Sequence, residues 1–235
     1  KYYIFQGFYK RFSCESRRQV FLVRIVAVKI WRNYLEKGIF LSRSIDKLFY
    51  SEDLKSRDKA FIMELVYGVC RRKKYIDWVL GKFIRRRDDI AYPFISLGVY
   101  QILFMRSVSD YAAVNEMVEA AKKFGLKKES GFINAVLRRI AERKTELSLP
   151  DAEGKDDLRE VSIKLSYPVW IVKTFYKRFG KDIAYSILDA FNYPFLPDTL
   201  SGGTKVVCMG LSKRDIGEYI SCLLYTSPSP RDLST

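Results

Sequence analysis

The sequence predicts an all-α domain followed by the opening of a small α/β unit. Two observations lead to the helices. Apolar residues recur at three- and four-residue spacing through most of the first 150 positions. The segments with that spacing are joined by short stretches carrying Gly, Ser, Asp or Pro where helix ends need them. A third observation leads to the α/β unit: Thr204–Met209 is a short β-branched run suited to a strand, preceded by two helical segments.

The first helix is expected from Arg18 to Glu36, with Val23, Val26, Ala27, Ile30, Trp31, Tyr34 and Leu35 on its apolar side and Gly38 as its stop. Ser44 is read as the cap of a short helix through Leu48. Ser56 is read as the cap of the next, which carries Ala60, Met63, Leu65, Val66 and Val69. A fourth helix runs from Lys74 to about Arg86, with Ile76, Val79, Leu80 and Phe83 inward. Pro93 suits the first turn of a fifth, which ends near Met105. Asp110 is read as the cap of a sixth, through Phe124, closed by Gly125. The seventh carries Phe132, Ile133, Val136, Leu137 and Ile140. Leu149 to Gly154 is polar with Pro and Gly and reads as a linker. Beyond it, Tyr167-Pro168 opens a helix through Phe179, stopped by Gly180, and another helix spans Asp182 to Phe191. The last residues, Leu223–Thr235, have no periodicity and two Ser-Pro pairs. They read as a disordered or non-native tail and are set aside.

Composition narrows the function. The 235 residues hold 42 Lys+Arg, 27 Asp+Glu and no His, a net charge of +15. Without histidine there is no Ser-His-Asp or Cys-His nucleophile and no His-ligated metal. The four cysteines, Cys14, Cys70, Cys208 and Cys222, have no zinc-type spacing, and scattered thiols suit a reducing compartment. The apolar run Val20–Trp31 is broken by Arg24 and Lys29 and is too short to span a bilayer. The charge surplus is localised. Residues 1–150 hold 31 Lys+Arg against 16 Asp+Glu, while residues 151–235 hold 11 of each. A positive surplus of this size points to a polyanion.

Enzymatic signals are sparse. The one Gly pair, Gly202-Gly203, precedes a strand where a cofactor loop would follow one. Cys70 lies beside Arg71 and Arg72 but on an apolar helix side, as a structural thiol would. Glu64, Glu116 and Glu119 read as ion-pair or capping partners. The basic clusters carry more: Arg71-Arg72-Lys73-Lys74, Arg85-Arg86-Arg87, Lys122-Lys123 with Lys127-Lys128, and Arg138-Arg139. Helix dipoles account for any one of them, but four together can neutralise several phosphates. Tyr75, Tyr92, Tyr100, Tyr111 and Phe132 share the region, with base stacking and core packing both open to them.

Five segments carry a family resemblance. They are Asp58–Val69 (DKAFIMELVYGV), Ile76–Leu80 (IDWVL), Leu97–Phe104 (LGVYQILF), Ala112–Lys122 (AAVNEMVEAAK) and Gly131–Arg139 (GFINAVLRR). In this order they resemble the NusB-like domain of the RsmB/Sun family of ribosomal RNA cytosine-C5 methyltransferases. Ser166–Val172 (SYPVWIV) and Arg178-Phe179-Gly180 resemble the opening of that family's second domain. The resemblance implies a NusB-like helical bundle that binds RNA, small-subunit ribosomal RNA in particular, in the bacterial cytoplasm, as a monomer without metal or membrane. It implies S-adenosylmethionine for a full-length parent and no cofactor within this chain. The family's catalytic cysteine follows a proline; none of the four cysteines here does, so no catalytic residue is assigned and this chain is expected to be inactive.

The domain reading that results is 1–17 as an N-terminal extension, 18–148 as the NusB-like domain, and 149–165 as a linker. Residues 166–221 are then the incomplete start of the second domain, and 222–235 the tail. The chain begins at Lys1 and is read as a fragment. Candidate RNA contacts are Arg71, Arg72, Lys74 and Arg138, then Asn115, Asn134 and Phe132, with helix locking open to the two amides and core packing to the phenyl ring. A NusB-type transcription antitermination factor and a basic helical protein-interaction module are the alternatives.

Overall fold

The structure is a computed structural model that describes residues 15–51, 54–85, 88–147 and 157–192, with side chains from residue 22 onward. Every described residue belongs to one compact unit. The expected strand at 204–209 and the tail lie outside the described residues.

All regular structure among the described residues is helical. In chain order the elements are α1 (Glu15–Lys37), α2 (Leu41–Ser51), α3 (Ser56–Arg71), α4 (Lys73–Phe83), α5 (Tyr92–Phe104), α6 (Asp110–Lys123) and α7 (Lys127–Glu142). After a 3-10 turn at Lys144–Leu147 come α8 (Leu158–Lys164), α9 (Val169–Phe179) and α10 (Lys181–Ala190).

The bundle is arranged around α5. Every residue from Tyr92 to Ile102 is buried, so this helix has no solvent face and must be surrounded. Helices α1, α3, α4, α6 and α7 pack on it. Two glycines let them come close. A Cβ at Gly68 on α3 would lie 2.0 Å from Tyr100 Cζ, and one at Gly98 on α5 would lie 2.7 Å from the methyls of Leu137. The remaining core comes from the α1 stripe Val23, Val26, Ala27, Ile30, Trp31 and the α7 stripe Ile133, Val136, Leu137, Ile140.

Several polar groups inside the bundle are paired across helices, as burial favours. Trp31 Nε1 donates to Ser96 Oγ at 2.9 Å, and Ser96 Oγ donates to Tyr92 O at 2.8 Å. Arg24 Nε donates to Gln101 Oε1 at 2.9 Å, while its guanidinium forms an ion pair with Glu116 and lies over the Phe61 ring at 4.9 Å. Burial raises the Glu116 carboxyl, and the Arg24 cation opposes the shift. Tyr100 OH donates to Glu64 Oε1 at 2.7 Å. Glu64, Glu116 and Glu119, the last with Lys122 at 2.7 Å, therefore act as pairing partners.

The structure corrects several details. Ser44 is buried inside α2, and Ser56 is the first residue of α3, whose cap is Lys55. Ser109, one residue before the expected Asp110, caps α6 by accepting Ala112 N–H at 3.2 Å. The helix expected to reach Arg86 stops at Phe83. Residues 158–164, read as linker, form α8, capped by Asp157. The stops at Gly38, Gly125 and Gly180 stand, each with a left-handed φ of 63°, 83° and 75°.

Candidate nucleic-acid interface

The α6–α7 hairpin shows its surface from its burial pattern. On α7 the buried positions are Ser130, Ile133, Val136, Leu137 and Ile140. The helical period then turns Lys128, Gly131, Phe132, Ala135, Arg138 and Arg139 to solvent. Phe132 is 38% exposed, so the core is not its place. Gly131 has open space where a Cβ would stand, and Ala135 lies one turn on, so the ring is approachable. On α6, Tyr111 is 76% exposed and Asn115 is exposed, on the side away from Ala113, Val114 and Met117.

The cations of this hairpin are of two kinds. Lys122 is held by Glu119, and Arg139 lies 6.0 Å from the Phe83 ring. The side chains of Lys127, Lys128 and Arg138 are exposed and make no ion pair or hydrogen bond among the described residues. Neither the Asn115 nor the Asn134 amide makes a hydrogen bond among them either. The structure therefore offers no helix-locking role for these two residues. Asn134 is half-buried and Asn115 faces solvent.

Arg71, Arg72 and Lys74 sit elsewhere, where α3 meets α4, and all three are half-buried. Arg72 donates to Lys164 O at 3.2 Å and lies over the Phe104 ring at 5.1 Å. Lys74 Nζ donates to Ser162 Oγ and, at 3.2 Å, to Tyr167 O. Desolvation lowers the Lys74 ammonium below its ordinary value. Arg71 is 3.8 Å from Glu64. Two of the three residues expected to meet RNA thus have protein partners on α8 and the turn after it. The reason is tertiary: the start of α4 is covered by the segment that follows the bundle. Ser162 and Ser166 complete this joint. Ser166 Oγ accepts Tyr75 N–H at 3.0 Å, and Tyr75 OH donates to Leu147 O at 2.8 Å. Neither capping nor joint-forming roles for these serines are marked in the sequence, where Ser166 only opens the segment that resembles the family's second domain.

Arg85 is exposed, and its neighbours Arg86 and Arg87 lie outside the described residues. Among the five aromatic candidates, Tyr92 and Tyr100 are core and Tyr75 is half-buried against Trp78 and Phe104. Tyr111 and Phe132 remain open. Burial pushes the Cys70 thiol up, against the Tyr34 hydrogen bond and the Arg71 and Lys73 cations, which is the setting of an unreactive thiol.

Among the described residues no strand leads into a glycine-rich turn of the kind that cradles a nucleotide-like cofactor. Among them no helix is long and apolar enough to cross a membrane.

The profile of the NusB family matches residues 21–142. Two curated relatives are each named a probable ribosomal RNA small subunit methyltransferase B. The one from Synechocystis sp. is 31% identical over 177 residues, 72% of this chain and 38% of the relative. The one from Bacillus subtilis is 28% identical over 169 residues, 70% of this chain and 37% of the relative. The chain thus spans well under half the length of these relatives. A solved structure of T. maritima NusB covers 55% of this chain and 96% of its own at 18% identity, with a TM-score of 0.48.

Proposed function

Because this chain belongs to the NusB family, we propose that its helical bundle docks RNA for a small-subunit ribosomal RNA methyltransferase of the RsmB type, in the bacterial cytoplasm. The observation that carries this reading is the α6–α7 surface. It joins Lys127, Lys128 and Arg138, cations with no partner among the described residues, to an open Phe132 and an exposed Asn115. The cations suit phosphates, the ring suits an unpaired base, and the amide suits a base edge. The methyltransferase is favoured over a stand-alone antitermination factor because the likeness to the Synechocystis relative runs over 177 residues, past the end of the NusB profile at 142.

Within this reading the contacts divide. Arg138, Phe132 and Asn115 meet RNA, with Asn134 beside them. Arg72 and Lys74 serve chiefly to hold the joint to α8, and Arg71 has its Nε and Nη2 buried near Glu64. Methyl transfer from S-adenosylmethionine is assigned to the full-length parent.

The test is binding of the 235-residue chain to a transcript of small-subunit ribosomal RNA by fluorescence anisotropy across a salt series. Affinity is expected to fall steeply with salt. K128E and R138E together are expected to weaken binding at least tenfold and flatten the slope. No binding at low salt overturns the proposal.

A further inference from the structure

A second surface has the same chemistry and lies outside the bundle. Helix α9 starts at Val169 behind Pro168, whose fixed φ sets the helix entry. Its inward positions are Val172 and Phe175, with Phe179 packed on Phe175 at 5.6 Å. This phase turns Trp170, Lys173, Thr174 and Lys177 to solvent. Trp170 is 42% exposed, an uncommon place for the largest apolar side chain. The intervals Trp170 to Lys173 and Lys173 to Lys177 are three and four residues, so the indole and both ammonium groups share one helix face. The side chains of these three residues make no hydrogen bond, ion pair or ring contact among the described residues. Helix α9 contains no acidic residue.

We propose that this face of α9 is a second RNA-contact surface, with Trp170 stacking on an unpaired base and Lys173 and Lys177 meeting phosphates of the same strand. The inference rests on the RNA-docking reading and extends it to the helices beyond the bundle. Charge complementarity selects the occupant. Two cations with no partner among the described residues, on a helix free of carboxylates, suit a phosphate backbone. A flat, open indole between them and the helix start suits a base, since every base presents a π-face. An apolar protein partner would leave both ammonium groups to be desolvated without a counter-charge.

The joint at α4 adds to this. Through Lys74, Arg72 and Tyr75 the bundle holds α8 and the turn before α9, so α9 is carried on the bundle and not on a free tether. A strand long enough to reach both surfaces then engages the second without added linker entropy.

The experiment uses the same ribosomal RNA transcript and the full chain. W170A is expected to weaken binding about fivefold or more, with W170F recovering most of the loss. K173A with K177A is expected to lower the slope of log affinity against log salt by about 1.4, the share of two single-strand phosphates. Crosslinking of a 4-thiouridine-substituted transcript is expected to mark α9 and to lose that mark in W170A. All three residues are exposed, so circular dichroism should show unchanged helicity. If these variants bind as the parent does while K128E with R138E binds weakly, the α9 proposal is overturned and the α7 reading stands. If W170A changes the oligomeric state and leaves RNA affinity alone, the face joins two copies and the proposal is equally overturned. If the unaltered chain fails to bind, both readings fall.

Discussion

Ser166 caps a helix far before it in the chain: its Oγ accepts the backbone N–H of Tyr75 in α4, 91 residues earlier, at 3.0 Å. The cap that α4 would ordinarily take from its own preceding residue is missing, because Arg72 stands there. Ser166 pays for the position with a left-handed φ of 61°, uncommon for a residue with a Cβ. The contact therefore joins the bundle to the helices that follow it through one of the bundle's own unsatisfied amides.

The first prediction separates the cap from the strain. Ser166→Ala removes the hydroxyl and keeps the Cβ, and is expected to cost about 1 kcal/mol. Ser166→Gly also removes the hydroxyl but relieves the left-handed conformation, so it should cost less. Urea unfolding should rank the parent first, glycine second and alanine last. Alanine equal to the parent would mean that the hydroxyl contributes nothing.

Gly68 supplies a second prediction. A methyl group there would stand 2.0 Å from Tyr100 Cζ and 2.1 Å from its hydroxyl oxygen. Gly68→Ala is expected to cost about 1–3 kcal/mol by overpacking, more than helix propensity returns. Tyr100→Leu shortens the obstacle, at the loss of the bond to Glu64. Combined, the two substitutions should cost less than the sum of their separate effects, and strict additivity in chemical denaturation would refute a direct clash.

What could be read in the sequence depended on whether the cause was local. The apolar stripes of α1 and α7 and the glycine stops at 38, 125 and 180 are local signals, and they stand in the structure. Ser109 and Asp110 are both good caps, so their one-residue ambiguity has no local solution. Helix α8 has seven residues, too few to be stable alone. It exists against α4, which periodicity in its own segment does not report. The partners of Arg72 and Lys74 lie 92 and 88 residues away, so a basic cluster that suits phosphate in sequence is tied to carbonyl and hydroxyl groups in space. The exposure of Arg138 follows from its helix face alone, whereas Phe132 reads with the apolar residues of α7 and only its surroundings show it to be exposed.

The Arg24–Glu116 pair yields a prediction with a pH signature. Arg24→Met should cost about 2–3 kcal/mol, since it leaves the half-buried Glu116 without its counter-charge. Replacing both residues, Arg24→Met with Glu116→Leu, should recover much of that loss. The Glu116 carboxyl is already raised by burial, and without Arg24 it rises further. A raised carboxyl favours the folded state at low pH and loses that contribution as pH climbs through its value. The stability gap between Arg24→Met and the parent should therefore narrow on acidification from neutral pH. A gap that widens would place the main effect elsewhere.

Tyr167 allows the joint itself to be titrated. Its hydroxyl is pushed up to about 12 from an ordinary 10.0, chiefly by burial, with Arg72 and Arg71 opposing the shift. In the unfolded chain the phenol ionises near its ordinary value, while in the folded chain it stays protonated beyond it. Protonation thus favours the folded state, and this contribution is complete below about 10 and is lost as pH rises toward about 12. Tyr167→Phe cannot ionise and should lose less stability over that window than the parent does. Thermal unfolding followed by circular dichroism at several pH values in the window measures the difference. Because Tyr167 O also accepts Lys74 Nζ through the backbone, the phenylalanine variant keeps that bond. Its melting curve should then report the phenol alone, and parallel pH profiles for the two proteins would show that the phenol is not what the joint protects.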